Sequence, residues 1–156
     1  MENTSRIAFM AGGEEQRVPF CFYDLERLAD DIHREYFSQS IKARVVWGKK
    51  IGRRQRRSIR LGSYDPCGQV IRIHPLLDTP EVPLYFIQSI LYHEYLHHVL
   101  GARHNRRFHV QERKFRHHRE SREWLRRNLH RLLGRRADPR RRTVGPKQEI
   151  VQLALF

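Results

Sequence analysis

The amino-acid sequence predicts an α+β domain in which a small antiparallel sheet of about three strands packs against helices. Three observations support this class. Apolar residues recur at helical spacing before residue 38 and again after residue 84, short β-rich or alternating stretches lie between these regions, and an Asp-Pro-Cys-Gly turn at 65–68 separates two of the stretches. An order of helix, strands and further helices is typical of an α+β fold.

The first half of the chain supplies one helix and the strands. Helical spacing of apolar residues predicts a helix over about 22–37. A β-rich run at 43–47, an alternating run at 58–64 and a third run at 69–74 predict three strands. The turn at 65–68 is expected to join the last two strands as an antiparallel hairpin.

The second half is helical. Asp, Thr, Pro and Glu at 78–81 carry the chemistry of a helix start. The most apolar stretch of the chain, 84–100, follows and ends at Gly101, a residue suited to a helix C-terminus. Beyond it, 106–118 and 121–133 form one broken helix or two. Their predicted buried side consists of Phe108, Phe115, Trp124, Leu125, Leu129, Leu132 and Leu133.

These elements place the folded domain at residues 19–134. Residues 1–18 are polar, lack the basic-then-apolar order of a signal peptide, and are expected to form a flexible arm. Residues 135–156 combine a basic tail with an apolar end. No stretch approaches the ~20 apolar residues of a membrane span, and the two cysteines, Cys21 and Cys67, form no C-x-x-C pair. We therefore expect a soluble cytoplasmic protein without a membrane partner.

Positive charge is concentrated in two blocks. The formal net charge is +14 at pH 7; residues 42–60 hold nine basic residues and no acidic one, and residues 103–142 hold sixteen basic and four acidic residues. Such blocks suit DNA or RNA because contacts with phosphates release counterions, although a solvated basic face has the same composition. Nucleic-acid binding would associate the protein with the nucleoid. The candidate contacts in the first block are Arg53, Arg54, Arg56 and Arg57.

One motif carries catalytic chemistry: an H-E-x-x-H sequence at His93, Glu94 and His97, inside the apolar helix. Histidines four residues apart share a helix face, with Cβ atoms about 5–6 Å apart, so both can reach one Zn²⁺ at ~2.0–2.1 Å. Glu94 is rotated from His93 by about 100°. From there its carboxylate can take a proton from a zinc-bound water as general base.

A catalytic zinc site needs a third protein ligand. His104 is the preferred candidate, because the chain reverses after Gly101 and can return over the helix end, where Phe108 would anchor the next helix. Glu112 and His109 are the alternatives. Three other nearby histidines are not expected to be ligands: His98, His117 and His118. His98 is interpreted as a packed or surface histidine.

Several motifs, which follow one another along the chain, resemble those of the SprT-like zinc metallopeptidases. This family is related to the DNA-dependent protease Spartan. They lie at 60–66, 71–75, 93–97 and 104–108, and the segment 45–48 fits the strand that precedes them in that family. The resemblance covers about residues 20–125. The cysteine-based zinc ribbon that often follows this domain is not found in this sequence.

The resemblance implies a zincin-like domain with zinc on His93, His97 and His104 and with Glu94 as general base. It also implies protein or peptide substrates. Because Spartan acts on proteins crosslinked to DNA, it further suggests substrates associated with nucleic acid.

Two other functions stay open at the level of sequence. A three-histidine cluster on a helix also resembles the YbeY-type endoribonucleases, in which glycine typically stands at the position of Glu94. The other hypothesis is a nucleic-acid-binding module with a structural zinc, whose arginines contact phosphates without recognising bases. For a peptidase, the candidates for stabilising the oxyanion are Arg103, Tyr92 and His98.

Overall fold

The computed structural model describes residues 21–49 and 58–134, and these residues form helices and a small sheet, which confirms the predicted α+β class. The predicted arm at 1–18 and tail at 135–156 lie outside the described residues. A single 3₁₀ turn, Pro75–Leu77, precedes the central helix. In chain order the elements are α1 (Leu25–Tyr36), β1 (Arg44–Trp47), β2 (Gly62–Asp65), β3 (Val70–Ile73), α2 (Leu84–Leu100), α3 (Arg106–Glu112) and α4 (His118–Leu132).

The sheet is mixed, so the prediction of an antiparallel sheet is wrong in part. β3 is the central strand, and β2 pairs with it antiparallel, as the hairpin turn predicted. β1 pairs with the other edge of β3 in parallel, with Arg44 opposite Val70 and Trp47 opposite Ile73. A parallel pair needs a long connection between its strands, and the segment that contains β2 provides it. Alternation of side chains indicates which face is buried but carries no information on strand direction.

Helix α2 is the centre of the domain. It packs against α1, α3 and α4 and against β2 and β3. Ten of its seventeen residues are buried, and Phe86, Ile90 and Tyr95 are fully buried. A helix covered by neighbours on several sides is apolar all round. Each fully buried apolar side chain stabilises the fold by about 1.5–3 kcal/mol. The H-E-x-x-H motif therefore lies in a helix that is buried on several sides.

The helix begins later than its sequence suggested. The predicted start at 78–81 is wrong: α2 begins at Leu84, directly after Pro83 in an extended conformation. The carboxylate of Asp78 accepts the backbone N–H of Tyr23 at 2.9 Å instead of capping a helix. This contact joins residues 55 positions apart, and a local pattern does not report it. The predicted end is confirmed, because Gly101 has a positive φ of 88° and its N–H donates to the His97 carbonyl at 3.0 Å.

The remaining helices follow the predicted pattern with shifted ends. α1 begins at Leu25 because the side chain of Asp24 caps it, accepting the backbone N–H of Arg27 at 3.0 Å. The C-terminal region is two helices, α3 and α4, and the predicted anchor Phe108 is fully buried. Trp124 and Leu129, predicted to be buried, are only partly so. In the described ranges, none of the helices combines the length and apolar character needed to cross a membrane.

Candidate metal centre

Three histidine side chains converge at the C-terminal end of α2. His93 and His97 lie one turn apart on the helix, and His104 returns toward them after the turn at Gly101. His93 Nε2 lies 3.2 Å from His97 Nε2 and 3.2 Å from His104 Nε2. Two nitrogens bound to zinc in tetrahedral geometry at ~2.0–2.1 Å are about 3.3 Å apart. The spacing therefore fits one shared ion, and His104, as predicted, is the histidine that joins the pair.

Hydrogen bonds on the opposite ring nitrogen orient two of these imidazoles. His97 Nδ1 donates to the carbonyl oxygen of Gly101 at 3.0 Å, and His93 Nδ1 donates to a carboxylate oxygen of Glu112 at 2.6 Å. A neutral imidazole that is protonated on Nδ1 presents an unprotonated Nε2. Burial lowers the pKa of His97 and so favours this neutral form. Unprotonated nitrogens that face one another at this distance suit a cation between them.

Glu112 supports the site from α3. The residue is 4% exposed; one oxygen accepts from His93, and the other lies 3.3 Å from His109 Nδ1. Burial alone would raise the pKa of Glu112, but the hydrogen bonds from these two histidines outweigh it and hold that pKa below its ordinary value. Glu112 was an alternative third ligand at the level of sequence. Here it contacts the far side of His93, in the position of a residue that would orient a candidate metal ligand and not bind the ion itself.

We expect Glu112→Gln to lower the affinity for zinc by about 10- to 100-fold, the usual loss when the partner of a ligand histidine is removed. Glutamine keeps the shape of the side chain but removes the negative charge that His93 Nδ1–H faces. Competition with a chromophoric chelator would measure the change. Glu120→Gln, at an exposed position of α4, is the matched control. Equal zinc affinity of the two variants would contradict the role assigned to Glu112.

Glu94 shares a cleft of about 300 Å³ with His97 and His104. Strand β2 and the residues beside it form one wall, and the turn at 101–104 forms the other. Glu94 is 2% exposed, and its carboxylate makes no hydrogen bond or ion pair with the described residues. Burial raises the pKa of Glu94 to about 8, against a smaller opposing effect of the Arg60 charge. A desolvated carboxylate at the edge of a cleft is suited to accept a proton from a molecule bound there.

Gly62 allows the sheet to approach this carboxylate. A Cβ at Gly62 would lie 2.6 Å from Glu94 Oε1 and 2.7 Å from Ile90 Cγ2. Both distances are shorter than real carbon contacts, so any side chain here would displace Glu94 or Ile90. Gly62 is not one of the site residues predicted from the sequence, although a glycine within a strand is a recognised sign of close approach by another group.

Two of the candidate oxyanion groups are held by other contacts. The hydroxyl of Tyr92 donates to the Gln111 carbonyl at 2.7 Å, and burial raises the pKa of Tyr92 to about 12. His98 accepts from the Tyr64 hydroxyl through Nδ1 and donates through Nε2 to the Ile41 carbonyl, both at 2.7 Å. Both ring nitrogens of His98 thus have protein partners, which agrees with its interpretation as a packed or surface histidine. The third candidate, Arg103, is exposed.

The structure describes only part of the two basic blocks. The predicted nucleic-acid contacts Arg53, Arg54, Arg56 and Arg57 lie outside the described residues. In the second block, every arginine and lysine between 103 and 134 is exposed. These side chains are Arg103, Arg106, Arg107, Arg113, Lys114, Arg116, Arg119, Arg122, Arg126, Arg127 and Arg131.

Comparisons of the chain with protein-family models, with curated proteins and with solved structures find no match. The resemblance of its motifs to the SprT-like metallopeptidases therefore stays a prediction.

Proposed function

We propose that the protein is a zinc-dependent metallopeptidase that hydrolyses peptide bonds in this cleft. One observation carries the proposal: two of the three converging histidines, His97 and His104, line the same cleft as a buried carboxylate without a hydrogen-bond partner among the described residues. A structural zinc site is usually closed by four protein ligands, whereas a catalytic site has three and keeps one position open. Three histidines beside an accessible cleft fit the second type.

Each residue has a distinct role in the proposed reaction. His93, His97 and His104 hold the ion, and Glu112 and the Gly101 carbonyl fix the orientation of the first two. Zinc, when bound, polarises a carbonyl oxygen and lowers the pKa of a water. Glu94 accepts the proton of the attacking water and delivers it to the leaving amine.

Strand β2 offers a binding surface for an extended peptide. Among the described strands it is an outer strand of the sheet, paired on one side with β3. Its residues Gly62, Ser63 and Tyr64 line the cleft that contains Glu94. An extended peptide can add to such an edge through main-chain hydrogen bonds, which would carry its scissile bond past the carboxylate. This arrangement is compatible with a zincin-like fold and with the SprT-like resemblance.

The exposed basic residues after residue 102 favour substrates associated with nucleic acid. Phosphate contacts by arginine and lysine require exposed side chains, and the described residues of this block meet that condition. We include DNA or RNA binding in the proposal as an attribute of the peptidase.

The test combines zinc analysis with hydrolysis of a mixed peptide library by zinc-loaded protein. We expect about one zinc ion per chain and cleavage that stops on chelation and returns when zinc is restored. A labelled RNA incubated in parallel tests the endoribonuclease alternative. Protein that carries zinc and cleaves no peptide would remove the proposal.

Gly62→Ala is expected to impair hydrolysis without removing zinc. The new methyl group would push the Glu94 carboxylate away, and a misplacement of about 1 Å at a reacting group can cost on the order of 100-fold in rate. Overpacking would also lower the free energy of unfolding by about 1–3 kcal/mol. Steady-state kinetics, zinc content and thermal unfolding measure the three effects.

Gly48→Ala is the matched control for this variant, because its new Cβ would meet its nearest atom, the Ile73 carbonyl oxygen, at 3.4 Å. It should retain both stability and activity. If Gly62→Ala hydrolyses peptides as fast as Gly48→Ala, the close approach of Gly62 has no role in positioning Glu94.

A further inference from the structure

Arg60 stands at the start of the β2 wall of the cleft. Its side chain is exposed and lines the same cleft as Glu94, His97 and His104. It forms no hydrogen bond or ion pair with the described residues. Some other arginines of the domain pair with acidic neighbours, as Arg72 does with Asp65 at 3.4 Å. Arg60 therefore presents an exposed positive charge to whatever occupies the cleft, without an ion-pair partner among the described residues.

Among the described residues that line the cleft, no exposed acidic side chain offsets this charge. Among the described lining residues the one carboxylate is Glu94, which is 2% exposed and assigned to proton transfer. Asp65, at the far end of β2, contacts Arg72 and accepts the backbone N–H of Cys67 at 3.1 Å. A basic side chain on a bound peptide would find repulsion here, and an acidic one would find a partner.

The position of Arg60 relative to Glu94 limits where that acidic side chain lies. Gly62, two residues after Arg60, is the point at which β2 touches Glu94. Two residues of chain span at most about 7 Å, and adjacent residues of a bound extended peptide are spaced about 3.3 Å apart. A carboxylate that pairs with Arg60 is thus one or two residues from the bond beside Glu94.

We propose that Arg60 makes the cleft selective for peptides with an aspartate or glutamate one or two residues from the cleaved bond. The inference rests on the proposed peptidase function, which it deepens by naming the substrate class. A guanidinium suits this task because it binds carboxylates through paired N–H donors and stays charged at all relevant pH values.

The experiment uses fluorogenic peptides that differ at one position at a time, with glutamate, glutamine or lysine there. The ratio of kcat/KM for the glutamate peptide to that for the lysine peptide is measured on the zinc-loaded full chain. We expect a ratio of about five or more at one or two adjacent positions, and a ratio near one elsewhere. Arg60→Gln should bring the ratio to about one at those positions, and Arg60→Glu should bring it below one. Arg119→Gln, which removes an exposed arginine of α4, should leave it intact.

A binding measurement separates this inference from the proposed function. Fluorescence anisotropy of the same peptides on the Glu94→Gln variant reports recognition without turnover. Binding that prefers glutamate and depends on Arg60, without any turnover by the wild type, would support recognition of acidic peptides by Arg60 and overturn the peptidase. Turnover with a ratio near one at every position would leave the peptidase standing and overturn the inference. A preference for acidic peptides that is equal at all positions and insensitive to Arg60 would also overturn it, because the net charge of +14 alone would explain that result.

Discussion

Glu94→Gln is expected to lower kcat for peptide hydrolysis by about 10²–10⁴-fold, the range of general acid–base catalysis, while the protein keeps its zinc. Glu94 is not one of the three histidines whose nitrogens converge. Replacing it with glutamine should therefore leave the candidate metal ligands in place. It removes the group that accepts a proton in the cleft. Steady-state hydrolysis and zinc content, measured on the same preparation, would show the separation of the two properties.

Folding provides an internal check on this variant. Burial raises the pKa of Glu94 to about 8, so in the metal-free protein the folded state favours the neutral carboxyl, which glutamine resembles in shape and charge. We therefore expect the Tm of the metal-free protein not to fall. The control is Glu120→Gln, which should match the wild type in both assays. Full activity of Glu94→Gln would eliminate the general-base assignment.

His104→Ala is expected to lower the affinity for zinc by at least about 100-fold, because loss of a ligand costs more than the 10- to 100-fold typical of a ligand's partner. His104 is exposed and precedes α3, so its removal should leave the metal-free fold intact. Zinc stabilises the folded state in proportion to the logarithm of its concentration over Kd. The rise in Tm on addition of zinc should therefore shrink in this variant. Chelator competition would give the affinity directly.

Two further histidine variants make this test decisive. His130→Ala, at an exposed position of α4, should bind zinc like the wild type. His109→Ala removes a neighbour of Glu112 and should cost far less affinity than His104→Ala. The reverse order, with His109 essential and His104 dispensable, would show that the third ligand had been assigned wrongly.

The core of the site was predictable from the sequence because its determinants are local. Helical spacing places His93 and His97 on one face, and Gly101 ends the helix because only a residue that tolerates a positive φ suits that position. His104 follows closely enough that the reversal returns it to the pair. Each of these inferences depends on residues within about a dozen positions of one another.

Contacts between distant segments decided the rest. Glu112 orients His93 from another helix, nineteen residues along the chain, and no spacing rule distinguishes a ligand from the partner of a ligand at that range. Gly62 and Arg60 reach the cleft because the hairpin packs on α2, and the sequence does not reveal which face of α2 the hairpin covers. The start of α2 was misplaced for a similar reason, since Asp78 bonds to Tyr23.

By itself, then, the sequence determined the α+β class, the helix that bears the motif and the three histidines, because periodicity and capping act over a few residues. Only the tertiary structure decided the parallel pairing of β1, the partner of His93 and the wall of the cleft. Strand direction and side-chain partners depend on which surfaces bury one another, and that is settled by packing of the whole domain.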